Sequence, residues 1–110
     1  MRIAVSALAI LFTLLHIIAA VTQFRSRDPA ARNSAAIMLC GGAALFCAAV
    51  AHLVYDGAGD WITVLPAACG FLLICLAAYL NGRRSEKVHI SHHLIRGGIA
   101  ILLVTGFFFW

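Results

Sequence analysis

Acidic residues are scarce in this sequence. Asp and Glu number 4 in 110 residues, and none of them falls inside an apolar run. This absence excludes the small exporters that depend on a carboxylate in the first helix, although they share the chain's length and helix count. Phosphate-binding glycine loops, nucleophile elbows and metalloprotease motifs are also missing. The sequence therefore favours a non-enzymatic role.

Charge of either sign is low for a soluble protein. Charged residues make up 11% of the chain and hydrophobic residues 64%, whereas soluble domains are about a quarter charged and about half apolar. A soluble domain of this size would have too few polar side chains to cover its surface. We therefore expect lipid to be the solvent for much of the chain, which is long enough for one domain.

Four apolar runs follow one another along the chain. Each is close to the ~20 residues that cross a hydrocarbon core of ~30 Å. Each run should be a helix, because backbone N–H and C=O groups in hydrocarbon must be bonded within their own segment. The predicted fold is all-α, an integral membrane four-helix bundle in a single transmembrane domain spanning 1–110. The predicted helices cover about 3–24, 34–55, 61–80 and 91–110.

Basic residues are distributed unevenly. Seven of the eight Lys and Arg residues lie in or beside the first and third polar breaks, and Arg2 alone lies on the other side. The positive-inside rule then places both breaks in the cytoplasm and both termini outside, most naturally in a bacterial cytoplasmic membrane. The net charge of +4 needs no nucleic-acid partner, since membrane lipids supply the counter-charge.

The two halves of the chain are similar in sequence. The segment LLHIIAAVTQFR (Leu14 to Arg25) aligns with LLICLAAYLNGR (Leu72 to Arg83), and MLCGGAAL (Met38 to Leu45) aligns with LIRGGIAI (Leu94 to Ile101). This pattern predicts a helical hairpin used twice with the same topology, as in parallel membrane repeats. Helices 1 and 3 should then be equivalent, as should helices 2 and 4.

Small residues recur at every fourth position of the second helix. Such a stripe lets helix backbones approach closely in lipid. We predict close packing within the chain and also against a second copy or a larger membrane protein. The paired glycines of the fourth helix are expected to pack closely too. The helix-packing candidates are Ala36, Cys40, Ala44, Ala48, Gly97 and Gly98.

The stretch HISHHLIRGG, from His89 to Gly98, leads into the last apolar run. If the helix begins near His89, its three histidines and Arg96 share one face. They could be a hydrated border with a snorkelling arginine. They could instead be a site for an anionic lipid or phosphate, because arginine forks onto phosphate oxygens. A metal pair of His89 and His93 would need a further ligand, and Glu86 is the nearby acid.

His16 lies within the first apolar run, in the segment LLHIIAAV. This segment resembles the first-helix histidine segment of four-helix haem-binding membrane families, such as copper-resistance membrane proteins and membrane protoporphyrinogen oxidases. The resemblance implies that His16 would be an axial ligand. A second histidine would be needed near the same depth, whereas His92 and His93 are expected at the inner edge and His52 near the outer one. A hydrogen bond to a neighbouring helix is the simpler role for His16.

The leading functional interpretation is a small membrane protein that acts as a subunit of a transporter, a channel or another membrane complex. The alternatives are a binding module for an anionic lipid or phosphate at the inner leaflet, and a haem-binding redox subunit. The sequence predicts no catalytic residue, metal ion or cofactor. The ligand-binding candidates are His16, His92, His93 and Arg96.

Overall fold

The computed structural model describes residues 1–55, 60–84 and 90–110, and this part of the chain contains helices and no strand. Each helix is long and apolar enough to cross a membrane. The predicted all-α four-helix fold is therefore confirmed. The helices are α1 (Arg2–Phe24), α2 (Pro29–Val54), α3 (Trp61–Arg84) and α4 (Ile90–Phe109).

Two helices extend beyond the apolar runs that predicted them. α2 begins at Pro29 rather than near Ser34, and α3 continues to Arg84 rather than ending near Leu80. The carboxylate of Asp28 caps α2 by accepting a hydrogen bond of 2.9 Å from the Ala30 N–H. Proline suits the first position of a helix, because the N–H that it lacks would have no partner there. Capping rather than hydropathy thus decides where α2 begins.

The two ends of the bundle differ in charge. We call one the basic end: here α1 and α3 finish, and α2 and α4 begin. There the Arg84 Nε and the Asp28 Oδ2 lie 3.3 Å apart and connect α3 to the α1–α2 junction. At the opposite end Arg2 Nη1 donates to the Tyr55 carbonyl oxygen at 3.2 Å. These exposed contacts stabilise the ends only modestly.

α2 lies between α1 and α3 and makes the closest helix contact of the bundle through glycine. A Cβ built on Gly41 would lie 2.7 Å from the Gly70 carbonyl oxygen, and one built on Gly70 would lie 2.6 Å from the Gly41 carbonyl oxygen. No side chain fits at either position. The backbones of α2 and α3 therefore touch directly, as small residues allow in membrane helices.

α4 packs against the bundle mainly at the opposite end. Its buried residues are Leu103, Gly106 and Phe107. A Cβ on Gly106 would lie 2.9 Å from a Val5 methyl carbon, and the Phe107 ring meets the His52 ring edge-on with centroids 4.8 Å apart. No residue from 90 to 102 is buried. α4 thus leaves space beside α1 and α3 towards the basic end.

Equivalent positions of the predicted repeat meet each other in one contact. Gln23 and Asn81 occupy the same place in the aligned halves, and the Asn81 Nδ2 donates to the Gln23 Oε1 at 2.8 Å. Contact between equivalent residues is what an axis along the membrane normal would produce. The predicted equivalence of helices 1 and 3 is consistent with this contact.

α4 departs from the repeat by a rotation about its own axis. Met38 and Leu45 of α2 are buried, whereas their repeat partners Leu94 and Ile101 are exposed. The partly or fully buried residues of α4 include Arg96 and Leu103 instead. The inward face is displaced by one or two positions, and each position turns a helix by about 100°. α2 and α4 are therefore not equivalent in packing.

Candidate functional site

A cavity of about 550 Å³ lies at the basic end, bounded chiefly by α1, α3 and α4. Residues from well-separated parts of the sequence converge on it. All four ligand-binding candidates line this cavity, although nothing local in the sequence connects the first helix to the last. The lining includes His16, His92, His93 and Arg96, together with Gln23 and Asn81.

His16 is held in a defined orientation. Its side chain is buried, and its Nδ1 lies 2.7 Å from the Phe12 carbonyl oxygen. Its ring also stacks against the Phe12 ring with centroids 4.2 Å apart. A carbonyl oxygen only accepts, so Nδ1 carries the proton and the Nε2 of the neutral ring is an acceptor. The expected partner on a neighbouring helix is replaced by one on the same helix, and Nε2 remains for a ligand.

Arg96 is half-buried on the cavity side of α4. It lines the same cavity as His16 of α1 and Asn81 of α3. At 1.5 Å per residue, Arg96 lies about 9 Å from the start of α4, and His16 lies about 12 Å from the end of α1. The two residues are therefore at similar distances from the basic ends of their helices, and both line the cavity.

Neither of the two acidic residues that the structure describes, Asp28 and Asp60, pairs with Arg96. Asp28 pairs with Arg84, and Asp60, at the opposite end, accepts from the first turn of α3. Glu86 lies outside the described residues. In the part of the chain that the structure describes, the cavity therefore has an arginine without a carboxylate partner, which suits an anionic ligand.

The two remaining candidates form the rim of the cavity. His92 is exposed and His93 is half-buried in the first turns of α4. The His93 ring approaches Tyr79 edge-on with centroids 6.4 Å apart. The Arg83 guanidinium carbon lies 5.9 Å from the centre of the same Tyr79 ring. This arrangement places several nitrogen donors where the cavity meets the basic end.

Gln23 and Asn81 are cavity residues that sequence reasoning missed. They bond to each other across the junction of α1 and α3, and the Asn81 Oδ1 is buried without a partner in the described chain. The signal was present in the aligned halves, which place one amide side chain opposite another.

The arrangement fits bis-histidine haem poorly. His92 and His93 lie within about 5 Å of the start of α4, whereas His16 lies about 12 Å from the end of α1. Among the α4 residues that line the cavity, Arg96 is the one nearest the level of His16, and arginine is not a haem ligand. Since two axial ligands must face each other across one iron, the residues present do not suit this group.

A metal site has little support in the described residues. Across 1–55, 60–84 and 90–110, no three His, Cys, Asp or Glu side chains converge to hold an ion. The proposed pair of His89 and His93 cannot be placed, because His89 lies outside the described residues. Among the described residues, the cavity therefore offers nitrogen donors and neutral acceptors rather than a set of metal ligands.

The helix-packing candidates of α2 differ in exposure. Ala48 is buried, Ala44 is half-buried, and Ala36 and Cys40 are exposed. Within the chain, Gly41 rather than these residues makes the closest approach. Part of the stripe is therefore exposed, and its packing against a second chain stays a prediction.

The paired glycines of α4 also have open space around them. A Cβ built on Gly97 or Gly98 would meet no atom within 4 Å. Their counterparts in the repeat, Gly41 and Gly42, lie against α3 and α1. The expected close packing is therefore made by the glycines of α2 and not by those of α4 within this chain.

Comparisons with protein-family models, curated proteins and solved structures give no match to this chain. A four-helix fold is compatible with many activities. The chemistry of the cavity is therefore the basis for a functional proposal.

Proposed function

We propose that this chain is a membrane protein whose basic-end cavity binds a phosphate-bearing anion. One observation carries the proposal: His16, His92, His93 and Arg96 line a single cavity. Arg96 has no carboxylate partner among the described residues. A guanidinium group donates two parallel hydrogen bonds to phosphate oxygens, which gives both affinity and orientation.

The proposed orientation puts this cavity at the cytoplasmic face. Seven of the eight basic residues belong to the first and third polar breaks, and the positive-inside rule favours the cytoplasm for both. The anionic lipids of a bacterial inner leaflet would then lie beside the cavity. Binding rather than catalysis is proposed, because no Ser, Thr or Cys is among the described residues that line the cavity.

A snorkelling arginine is the competing explanation of Arg96. Snorkelling requires only that a long cationic side chain reach the headgroups. It does not require α4 to bury a different face from α2, its counterpart in the repeat. Packing of Gly106 and Phe107 turns α4 so that Arg96 lines the cavity, an orientation that snorkelling does not need and that a ligand could use.

Replacement of Arg96 by lysine separates these explanations. The protein would be reconstituted in phosphatidylcholine vesicles with a minor fraction of anionic phospholipid, then extracted, and its retained lipid measured by native mass spectrometry. Arg96→Lys should lower retention about tenfold, since lysine keeps the charge but loses the fork. The exposed Arg32→Lys variant at the same end is the matched control and should retain lipid normally. Equal retention in both variants would leave Arg96 as a snorkelling residue and refute the proposal.

A second candidate function is a subunit of a larger membrane complex or homo-oligomer. The specific observation is the face of α2 that carries small residues and remains exposed, including Ala36, Cys40 and Cys47. Small residues on a lipid-facing surface allow another helix to approach closely. Binding of an anion and assembly are compatible, because the exposed face of α2 does not line the cavity.

A further inference from the structure

An apolar groove continues from the polar cavity between α1 and α4. Its volume is about 300 Å³, and Leu15 lines both spaces. The groove lies where α4 stands away from α1. It is lined by Leu8, Leu11, Phe12, Leu15, Ile99, Leu102 and Leu103.

The polar and apolar parts follow one order from the basic end. On α4, Arg96 lines the polar cavity, and Ile99 and Leu103 follow it in the groove. On α1, the groove runs from Leu15 to Leu8, a length of about 10 Å at the helical rise per residue. Charged donors near the headgroups and hydrocarbon behind them match the two parts of an amphiphile.

We propose that the ligand is a lipid phosphate monoester, with its phosphate between Arg96 and His16 and its hydrocarbon chain in the groove between α1 and α4. The inference rests on the proposed function and adds the ligand's class and orientation. Arg96 donates to the phosphate oxygens. His16 accepts through Nε2, because its Nδ1–H is already directed to the Phe12 carbonyl oxygen.

The acceptor at His16 distinguishes a monoester from a diester. A phosphate monoester has a second pKa near ~6, so it brings a proton that can be shared with Nε2 near neutral pH. A phosphodiester such as phosphatidylglycerol has no such proton, and its headgroup hydroxyls lie on the water side of the phosphate. His16 lies on the hydrocarbon side, beside Leu15, where those hydroxyls do not reach.

The groove distinguishes a lipid from a free anion. Inorganic phosphate would occupy only the polar cavity and would leave the groove to unrelated acyl chains. A ligand that carries its own chain gains from both parts and is held at one depth. The preference should therefore depend on the shape of the groove as well as on Arg96.

The first experiment compares two lipids at equal fractions in phosphatidylcholine nanodiscs. Phosphatidic acid, a monoester, should be retained about tenfold better than phosphatidylglycerol, as expected for one additional hydrogen bond to a charged group. His16→Phe keeps a ring against Phe12 but has no acceptor. It should remove the preference for phosphatidic acid over phosphatidylglycerol. Equal retention of both lipids by the wild-type protein would overturn the monoester assignment.

The second experiment fills the groove. Leu11 lines it and is 55% exposed, whereas Leu14 is 47% exposed on the same helix and does not line it. Leu11→Trp should reduce phosphatidic acid retention several-fold, and Leu14→Trp should not. Inorganic phosphate should compete with phosphatidic acid only weakly, because it gains nothing from the groove.

The outcomes separate this inference from the function on which it rests. If inorganic phosphate competes strongly and Leu11→Trp is silent while Arg96→Lys still weakens binding, the cavity binds phosphate and the lipid assignment is wrong. If Arg96→Lys is silent and no anionic lipid is retained above phosphatidylcholine, the proposed function fails as well. The full assignment is supported if His16→Phe no longer prefers phosphatidic acid to phosphatidylglycerol and Leu11→Trp retains less phosphatidic acid than the wild-type protein.

Discussion

Glycine serves two different purposes in this bundle, and neighbouring atoms distinguish them. Gly41 and Gly70 stand where two backbones touch, with no room for a Cβ on either side. Gly97 and Gly98 occupy the aligned place in the second hairpin but have no neighbour within 4 Å of an added Cβ. An identical pair of letters in the sequence is therefore a packing requirement in α2 and a tolerant position in α4.

This difference predicts opposite effects of one added methyl group. Gly41→Ala should lower the free energy of unfolding by about 1–3 kcal/mol, because the new Cβ overpacks the contact with α3. Gly98→Ala should be neutral or stabilising by up to about 1 kcal/mol, since alanine is the better helix former. Unfolding in mixed detergent micelles, followed by circular dichroism, measures both. Equal effects would mean that the α2–α3 contact is looser than described.

At the scale of helices, α2 and α4 show how one pattern leads to different surfaces. α2 buries one face against α1 and α3 and leaves Cys40 and Cys47 exposed on another. Ala44 lies between these faces, so leucine there would disturb packing within the chain as well as association between chains. α4 turns its equivalent of Cys40, which is Arg96, towards the cavity. We propose the exposed face of α2 as the surface that would meet a second copy.

Native cysteines test this association without adding bulk. Cys40, Cys47 and Cys69 are all free and exposed, but Cys69 belongs to α3. Proteins that retain only Cys40 or only Cys47 should form cross-linked dimers under oxidation in vesicles. A symmetric interface brings identical residues together, and a disulfide needs Cα atoms within about 7 Å. The protein that retains only Cys69 is the control and should stay monomeric on a denaturing gel.

Two results would contradict an interface on α2. Absence of cross-linking at both Cys40 and Cys47 would show that the small-residue face lies against lipid. Equal cross-linking at Cys69 would indicate random collision in the membrane. Either result would remove the support for an oligomer and leave the cavity proposal unaffected.

For the whole molecule, the distribution of charge determines the expected orientation. The basic end holds the α1–α2 and α3–α4 junctions, while the opposite end holds both termini. Arg2 is the single basic residue at the opposite end, where its side chain bonds to the Tyr55 carbonyl oxygen. Because the cavity lies at the basic end, it faces the cytoplasm only if both termini lie outside.

Fusion reporters test the orientation directly. Alkaline phosphatase fused after Trp110 should be active, because the positive-inside rule places that terminus outside. The same enzyme fused after Arg84 should be inactive, and a reporter that requires the cytoplasm should give the reverse pattern. Active phosphatase at Arg84 would place the cavity at the outer face and remove inner-leaflet lipids as its ligands.

The candidate site could be predicted in its members but not in its arrangement. His16 and Arg96 stood out because ionisable side chains are rare at membrane depth. Their meeting in one cavity depends on which face α4 presents. Had α4 packed as α2 does, Arg96 would have been exposed like its counterpart Cys40. Gln23 and Asn81 were missed for a related reason, since neither matters until α1 and α3 are brought together.

Hydropathy and charge, read from the sequence alone, determined that the chain forms four apolar helices of membrane-spanning length. Backbone bonding in hydrocarbon is a local requirement, so a local pattern is sufficient to predict it. Only the tertiary structure decided the rotation of α4, through the contact of Gly106 with Val5 and of Phe107 with His52. These contacts join residues far apart in the chain. Side-chain shapes on neighbouring helices set them, and no periodicity within a single helix contains that information.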